Sequence, residues 1–187
     1  VYRLRKPIDL LKPGDVIWEF HVEDNETILN PSLDHGDNVY FTTQNNNVGI
    51  LDVSDKLYAL DGKTGHNKWT IPLTGSPQIG ADNTIYITDN GKLSALNNQT
   101  GVKKWLSDSN ASSSISIDTD GTIYSAYKKD LSAINGNDGT TVWQKKNLAP
   151  YDIQGTMVDN NNIYYYNIHS SFMAAVNKVT QNFVWQK

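Results

Sequence analysis

Residues 57–69 read Leu-Tyr-Ala-Leu-Asp-Gly-Lys-Thr-Gly-His-Asn-Lys-Trp, and the skeleton of this string returns along the chain. Leu57–Asp61 aligns without a gap with Leu93–Asn97, Leu131–Asn135 and Met173–Asn177. In each copy an alanine (Ala59, Ala95, Ala133, Ala175) stands ten residues before a tryptophan (Trp69, Trp105, Trp143, Trp185). A glycine stands four before the tryptophan at Gly65, Gly101 and Gly139, and Gln181 replaces it in the last copy. Upstream, Trp18 keeps its glycine as Gly14, with Ile8 at the alanine place. Self-similarity at a period near 40 residues marks a repeat architecture, in which each unit buries its faces against its neighbours.

Working outward from the string, an apolar residue followed by tyrosine precedes each full copy: Val39-Tyr40, Ile85-Tyr86, Ile123-Tyr124 and Ile163-Tyr164. A turn rich in Asp, Asn and Gly precedes each of these pairs, as in Asp118-Thr-Asp-Gly121. Such residues tolerate the tight backbone of hairpin turns. Each unit therefore reads as four short strands: one ending at the turn, one carrying Tyr, one carrying Leu-x-Ala and one carrying Trp. This predicts an all-β fold, a β-propeller of four-stranded antiparallel blades, with about four and a half units in residues 1–187. The units are 28–70, 76–106, 113–144 and 154–187, after a half blade at 1–20. The count implies part of a larger ring. Side chains alternate faces along a strand, so Trp fills the gap between stacked sheets and Ala leaves room for an aromatic opposite. The glycine before Trp suits a left-handed turn between the third and fourth strands.

Composition supports strands. There are 17 Asp and 21 Asn but only three Glu (Glu19, Glu23, Glu26), and ten Tyr. The net charge of −4, with arginine only at positions 3 and 5, offers no nucleic-acid surface. Cysteine is absent, which excludes disulfides, thiolate nucleophiles and thiolate metal sites. No apolar run approaches the roughly 18 residues of a membrane span. The start at Val1, without Met, reads as a processed or excised piece.

The Ala-Leu-Asp-x-x-Thr-Gly-x-x-x-Trp string at Ala59–Trp69, repeated with Asn97 at Ala95–Trp105, resembles the repeat of pyrroloquinoline-quinone-type (quinoprotein-like) β-propellers. The pattern weakens at Ala133–Trp143 and more at Ala175–Trp185. The resemblance is to the non-catalytic branch, which includes a bacterial outer-membrane barrel-assembly lipoprotein. It implies an extracytoplasmic, bacterial scaffold that contacts a protein partner through loops or blade edges. A fragment of a quinoprotein dehydrogenase is the alternative, and only that reading calls for pyrroloquinoline quinone and calcium. Its ligand set of Glu, Asn, Asp and Arg matches no motif here.

Candidate chemistry is sparse. Four scattered histidines (His21, His35, His66, His169) form no Ser-His-Asp set and no His-Glu-x-x-His. Glu19 and His21 share a strand face and could jointly touch a metal, but a solvated face is the plainer reading. Asp118–Gly121 resembles a fragment of a calcium loop and sits where every unit has its first hairpin turn. Tyr127, Tyr151, Tyr165 and Tyr166 fall outside the repeated tyrosine position; they could stack on sugars in a polysaccharide-binding module, or pack between blades. No catalytic, cofactor or metal residue is assigned. About ten extra residues, 44–53, lengthen the loop between the second and third strands of one unit, where a partner could bind. An unpaired blade edge would allow self-association.

Overall fold

The computed structural model describes residues 2–4 (backbone only), 12–46, 55–112, 114–167 and 169–187. Every regular element among them is a strand: β1 (Tyr2–Leu4), β2 (Trp18–Phe20), β3 (Glu26–Leu33), β4 (Asn38–Asn45), β5 (Lys56–Asp61), β6 (Asn67–Pro72), β7 (Gln78–Ile79), β8 (Ile85–Asp89), β9 (Lys92–Leu96), β10 (Lys103–Asn110), β11 (Ile115–Ile117), β12 (Thr122–Tyr127), β13 (Asp130–Asn135), β14 (Thr141–Lys145), β15 (Gly155–Val158), β16 (Asn162–Asn167), β17 (Phe172–Asn177) and β18 (Phe183–Gln186). They form four sheets of four strands in chain order, β3–β6, β7–β10, β11–β14 and β15–β18, with β1 and β2 pairing apart. Each sheet is a propeller blade, and the fold is a partial β-propeller. The tyrosine strand is second in each blade, the alanine strand third and the tryptophan strand last, as the repeat predicts.

The repeated residues meet across the sheets. Tyr40 faces Ala59, which faces Trp69. Tyr124–Ala133–Trp143 and Tyr164–Ala175–Trp185 repeat the row. The methyl group between two large rings lets them close over it. Ring centroids lie 6.0, 5.8, 6.0 and 6.1 Å apart at Tyr40–Trp69, Tyr86–Trp105, Tyr124–Trp143 and Tyr164–Trp185. Pairs of this kind contribute about 1 kcal/mol beyond the area they bury.

The glycine before each tryptophan has two reasons to be there. Gly65, Gly101 and Gly139 have φ of 73°, 71° and 78°, a left-handed conformation that costs other residues energy. Each also receives the tryptophan of the preceding unit. A Cβ at Gly65 would lie 2.7 Å from the Trp18 ring, at Gly101 2.9 Å from Trp69, and at Gly139 2.5 Å from Trp105. The indole N–H of the same tryptophan donates to a carbonyl of the turn: Trp18 to Gly62 O at 2.7 Å, Trp69 to Asn98 O at 3.0 Å, and Trp105 to Gly136 O at 3.0 Å. Gln181 adopts φ 56° at the corresponding place and keeps the turn bond from its N–H to Asn177 O, 2.9 Å.

In the half blade the pairing differs from that of the full units. The strand partner of Trp18 is Leu4, fourteen residues upstream. Ile8 itself lies outside the described residues. Residues 47–54, most of the 44–53 insertion, lie outside the described residues. Its first residues continue the hairpin: Gln44 and Asn45 end β4, and the Asn46 N–H donates to Asn25 O at 2.8 Å.

The chain divides into two compact units, Val1–Ile85 with Asn97–Val102, and Tyr86–Leu96 with Lys103–Lys187. In the first, Phe41 and Tyr58 stack at 5.1 Å, and Phe20 meets both edge-on at 5.9 and 5.7 Å. In the second, two apolar clusters lie between successive blades. One is built around Leu93, Ile123 and Ile134, the other around Leu131, Ile163, Tyr165 and Val176. These strands read as short apolar runs because both faces are covered.

Candidate functional site

Most side chains that could do chemistry are committed to turns. At the third-strand exit, Asp61 Oδ1 accepts the Lys63 and Thr64 N–H groups at 3.0 and 2.9 Å and the Thr64 hydroxyl at 3.0 Å. Asn97 and Asn177 do the same for Gln99-Thr100 and Val179-Thr180. The bonds from Thr64 lead in holding the Asp61 carboxyl below the usual carboxylate range. The Asp-x-x-Thr-Gly signature is thus a hydrogen-bonded turn.

The first hairpin turns are tied more deeply. Asp34 is buried and accepts from the Gly36 and Asn38 N–H groups, the Asn38 amide and the Tyr40 hydroxyl, each at 2.8 Å, and from the Asn98 amide at 3.3 Å. Burial opposes its ionisation, but the donors from Asn38, Tyr40 and Gly36 outweigh it and hold the carboxyl at about 2. Burial, reinforced by Asp34, pushes the Tyr40 hydroxyl well above its ordinary range. Asp159 is arranged alike, accepting from Asn161 N, Asn162 N and Tyr164 Oη.

Asp118 is not a calcium ligand in waiting. Its Oδ2 lies 2.5 Å from Lys178 Nζ, and its Oδ1 accepts the Thr119 N–H at 2.7 Å. Burial works against the charge, but the Lys178 ammonium more than compensates and the carboxyl titrates below its ordinary value. Glu19 and His21 do come together, with Nε2 and Oε2 3.8 Å apart, on a largely exposed histidine. Glu26 is buried against Lys56 (2.8 Å) and the Tyr58 hydroxyl (3.1 Å), and Glu23 shares the same lysine at 3.1 Å. No three metal-ligating side chains gather among the described residues. With their oxygens spent on lysines, hydroxyls and turn amides, these carboxylates do not fit the calcium-and-quinone ligand set.

The unrepeated tyrosines divide. Tyr165 is fully buried, 6.0 Å from Phe172, and burial pushes its hydroxyl up to about 12; it is a core residue. Tyr166 lies over Gly155, where a Cβ would come within 2.4 Å of its ring. Tyr151 is half exposed and meets Phe172 edge-on. Tyr127 lines an open cleft at the ends of β10, β12 and β14.

The last strand of each blade is also accessible. β6, β10, β14 and β18 are terminal in their sheets, so one row of backbone N–H and C=O groups has no ladder partner there. Lys68, Lys103, Lys104 and Lys145 lie on the first three, and such charges discourage indiscriminate pairing. Beside the partly buried Trp105 and Trp143, Leu106 and Val142 point outward at 51% and 59% exposure, and on β18 Val184 and Trp185 are both exposed. Leu106, Val142 and Val184 were not singled out from the sequence. The alternation about each tryptophan marks them.

Comparison with known proteins follows the same line. Residues 8–187 match the family described as outer membrane protein assembly factor BamB. Nothing matches among curated proteins. Similar solved structures include BamB from Moraxella catarrhalis (TM-score 0.63, 19% identity, 82% of this chain and 50% of that one). A chain of the mitotic checkpoint complex is also similar (TM-score 0.73, 9% identity, 94% and 55%). So is the WD40 β-propeller domain of Doa1 (TM-score 0.58, 9% identity, 85% and 53%). The chain spans about half the length of each, and at these identities the likeness concerns the fold.

Proposed function

The chain belongs to the family described as outer membrane protein assembly factor BamB, and from that premise we propose that it is a non-catalytic, extracytoplasmic bacterial scaffold for a protein partner of envelope protein assembly. The observation that carries the reading is the outer strands of the blades. Leu106 and Val142 stand half exposed beside unpaired backbone edges, while the repeated polar residues are absorbed by turns. A partner segment can lie along such an edge, taking its backbone hydrogen bonds and covering the apolar side chains. The shifted carboxylates support a scaffold rather than acid–base work, since each is held ionised by structural donors and none is raised toward neutrality.

A photo-crosslinking residue placed at Leu106 and, separately, at Val142 in the full-length protein in its native host tests this. Both positions should capture the same envelope protein, and Leu106→Glu should abolish capture from position 142. Capture only from a turn position such as Asn137, or identical capture in the glutamate variant, would move the contact off the outer strands. Calcium with pyrroloquinoline quinone should leave the melting temperature unchanged; a rise would favour the dehydrogenase reading.

A further inference from the structure

A cleft of about 590 Å³ opens in the second compact unit, at the ends of β10 and β14 and the turn from β12 to β13. Lys128, Lys129 and Lys146 line it together with Asp108, Asp130 and Asp152. Among the described residues no ion pair joins these lysines to these aspartates. Of the six side chains, Asp130 takes the Asn147 N–H at 2.9 Å, and the Lys128 ammonium lies 5.7 Å from the centre of the Tyr127 ring. The donors and acceptors of a concave surface are therefore largely unspent within the chain.

The cleft is also held in shape. Its floor turn is pinned by backbone bonds, from Leu148 N to Lys129 O at 2.9 Å and from Ile153 N to Lys128 O at 2.7 Å. Leu148, Ala149 and Ile153 are packed into the core behind it. Lys128 sits in the left-handed region at φ 53°, which a long side chain rarely adopts without surrounding structure to impose it. A preformed wall lowers the ordering cost of binding.

The lining selects a ligand class. Three lysines and three aspartates line it, so their formal charges cancel and net charge favours neither an anion nor a cation. An apolar molecule would strand the charged groups without partners. A hydroxyl both donates and accepts, so a polyhydroxylated ligand can satisfy ammonium, carboxylate and the Gln144 amide in turn. Tyr127, the cleft's aromatic wall, offers a ring face or edge to the C–H groups of a sugar. We propose that this cleft binds a segment of a neutral oligosaccharide. The size lies within the range of small-ligand sites. The site draws on the far ends of the same two outer strands, β10 and β14, but its argument does not use the edge contact proposed above.

The test is a titration of the isotope-labelled full chain with a panel of neutral tetrasaccharides, followed by amide chemical shifts. An oligogalacturonate serves as the anionic control. One or more neutral sugars should give saturable shifts centred on 108–110, 127–130 and 144–152. Lys146→Ala and Asp152→Asn alter side chains that make no bond with another described residue, so both should fold normally. Each should weaken binding about tenfold, the loss of one charge-assisted hydrogen bond. Tyr127→Ala should weaken it too. The proposal is overturned if no neutral sugar gives saturable shifts by about 10 mM, well above a millimolar Kd. Shifts elsewhere, unchanged affinity in the two polar variants, or binding of the anionic sugar alone would overturn it equally.

Discussion

Gly139 and Gly121 both have strongly positive φ, 78° and 85°, yet they stand in different surroundings. At Gly121 an added Cβ meets nothing within 4 Å, whereas at Gly139 it would strike the Trp105 ring. Gly121→Ala should therefore cost only the left-handed backbone term, about 1–2 kcal/mol. Gly139→Ala should cost that and a displaced indole as well, about 3 kcal/mol or more in total. Urea midpoints of the two variants check the difference, and equal losses would mean that the tryptophan contact contributes nothing. Residues of this kind were half legible in the sequence. The left-handed turn followed from a glycine recurring four before each tryptophan. That the glycine serves the tryptophan of the preceding unit did not, because a repeat shows a contact only as two residues that recur together.

Between neighbouring elements one polar tie joins Lys178, just after β17, to Asp118, in the turn from β11 to β12. Their side chains are only 16% and 8% exposed. Lys178→Met should leave Asp118 buried and unpaired and lower stability by about 3 kcal/mol. Adding Asp118→Asn to that variant should restore part of the loss, since an amide needs no counter-charge. Denaturation of the single and double variants checks this, and additive losses would show that the two side chains do not interact. The elements themselves were readable: four strands per unit, their order, and alanine as the partner of tryptophan all follow from spacing and the pleat. The pairing of residues 118 and 178 was not, because sixty residues of chain separate them and nothing local marks either. The cleft was hidden for a related reason. Its lining residues, Tyr127 among them, are not part of the repeated pattern, so periodicity passes over it.

For the molecule as a whole, the aspartates of the turns predict an acid limit. Asp34, Asp61, Asp118, Asp138 and Asp159 all titrate below the ordinary 3.8 in the folded chain. A folded value below the unfolded one stabilises above the unfolded value and is lost as pH falls through the folded one. Stability from these groups should be level above pH about 5 and decline between about pH 4 and 2, with Asp34 contributing about 2 kcal/mol of the decline. Melting temperatures from pH 2 to 7 check the window, and Asp34→Asn should flatten the slope within it. A decline centred near pH 6 would implicate other groups. The seating of each tryptophan on the next unit's glycine has a last consequence, for how such a chain grows. Every unit with both residues carries plug and socket together, so a copied stretch of gene encodes a part that fits its parent and its twin alike. Length can change by whole repeats without a new interface being invented. Gln181 keeps the left-handed backbone of the socket but carries a side chain where the other units have glycine.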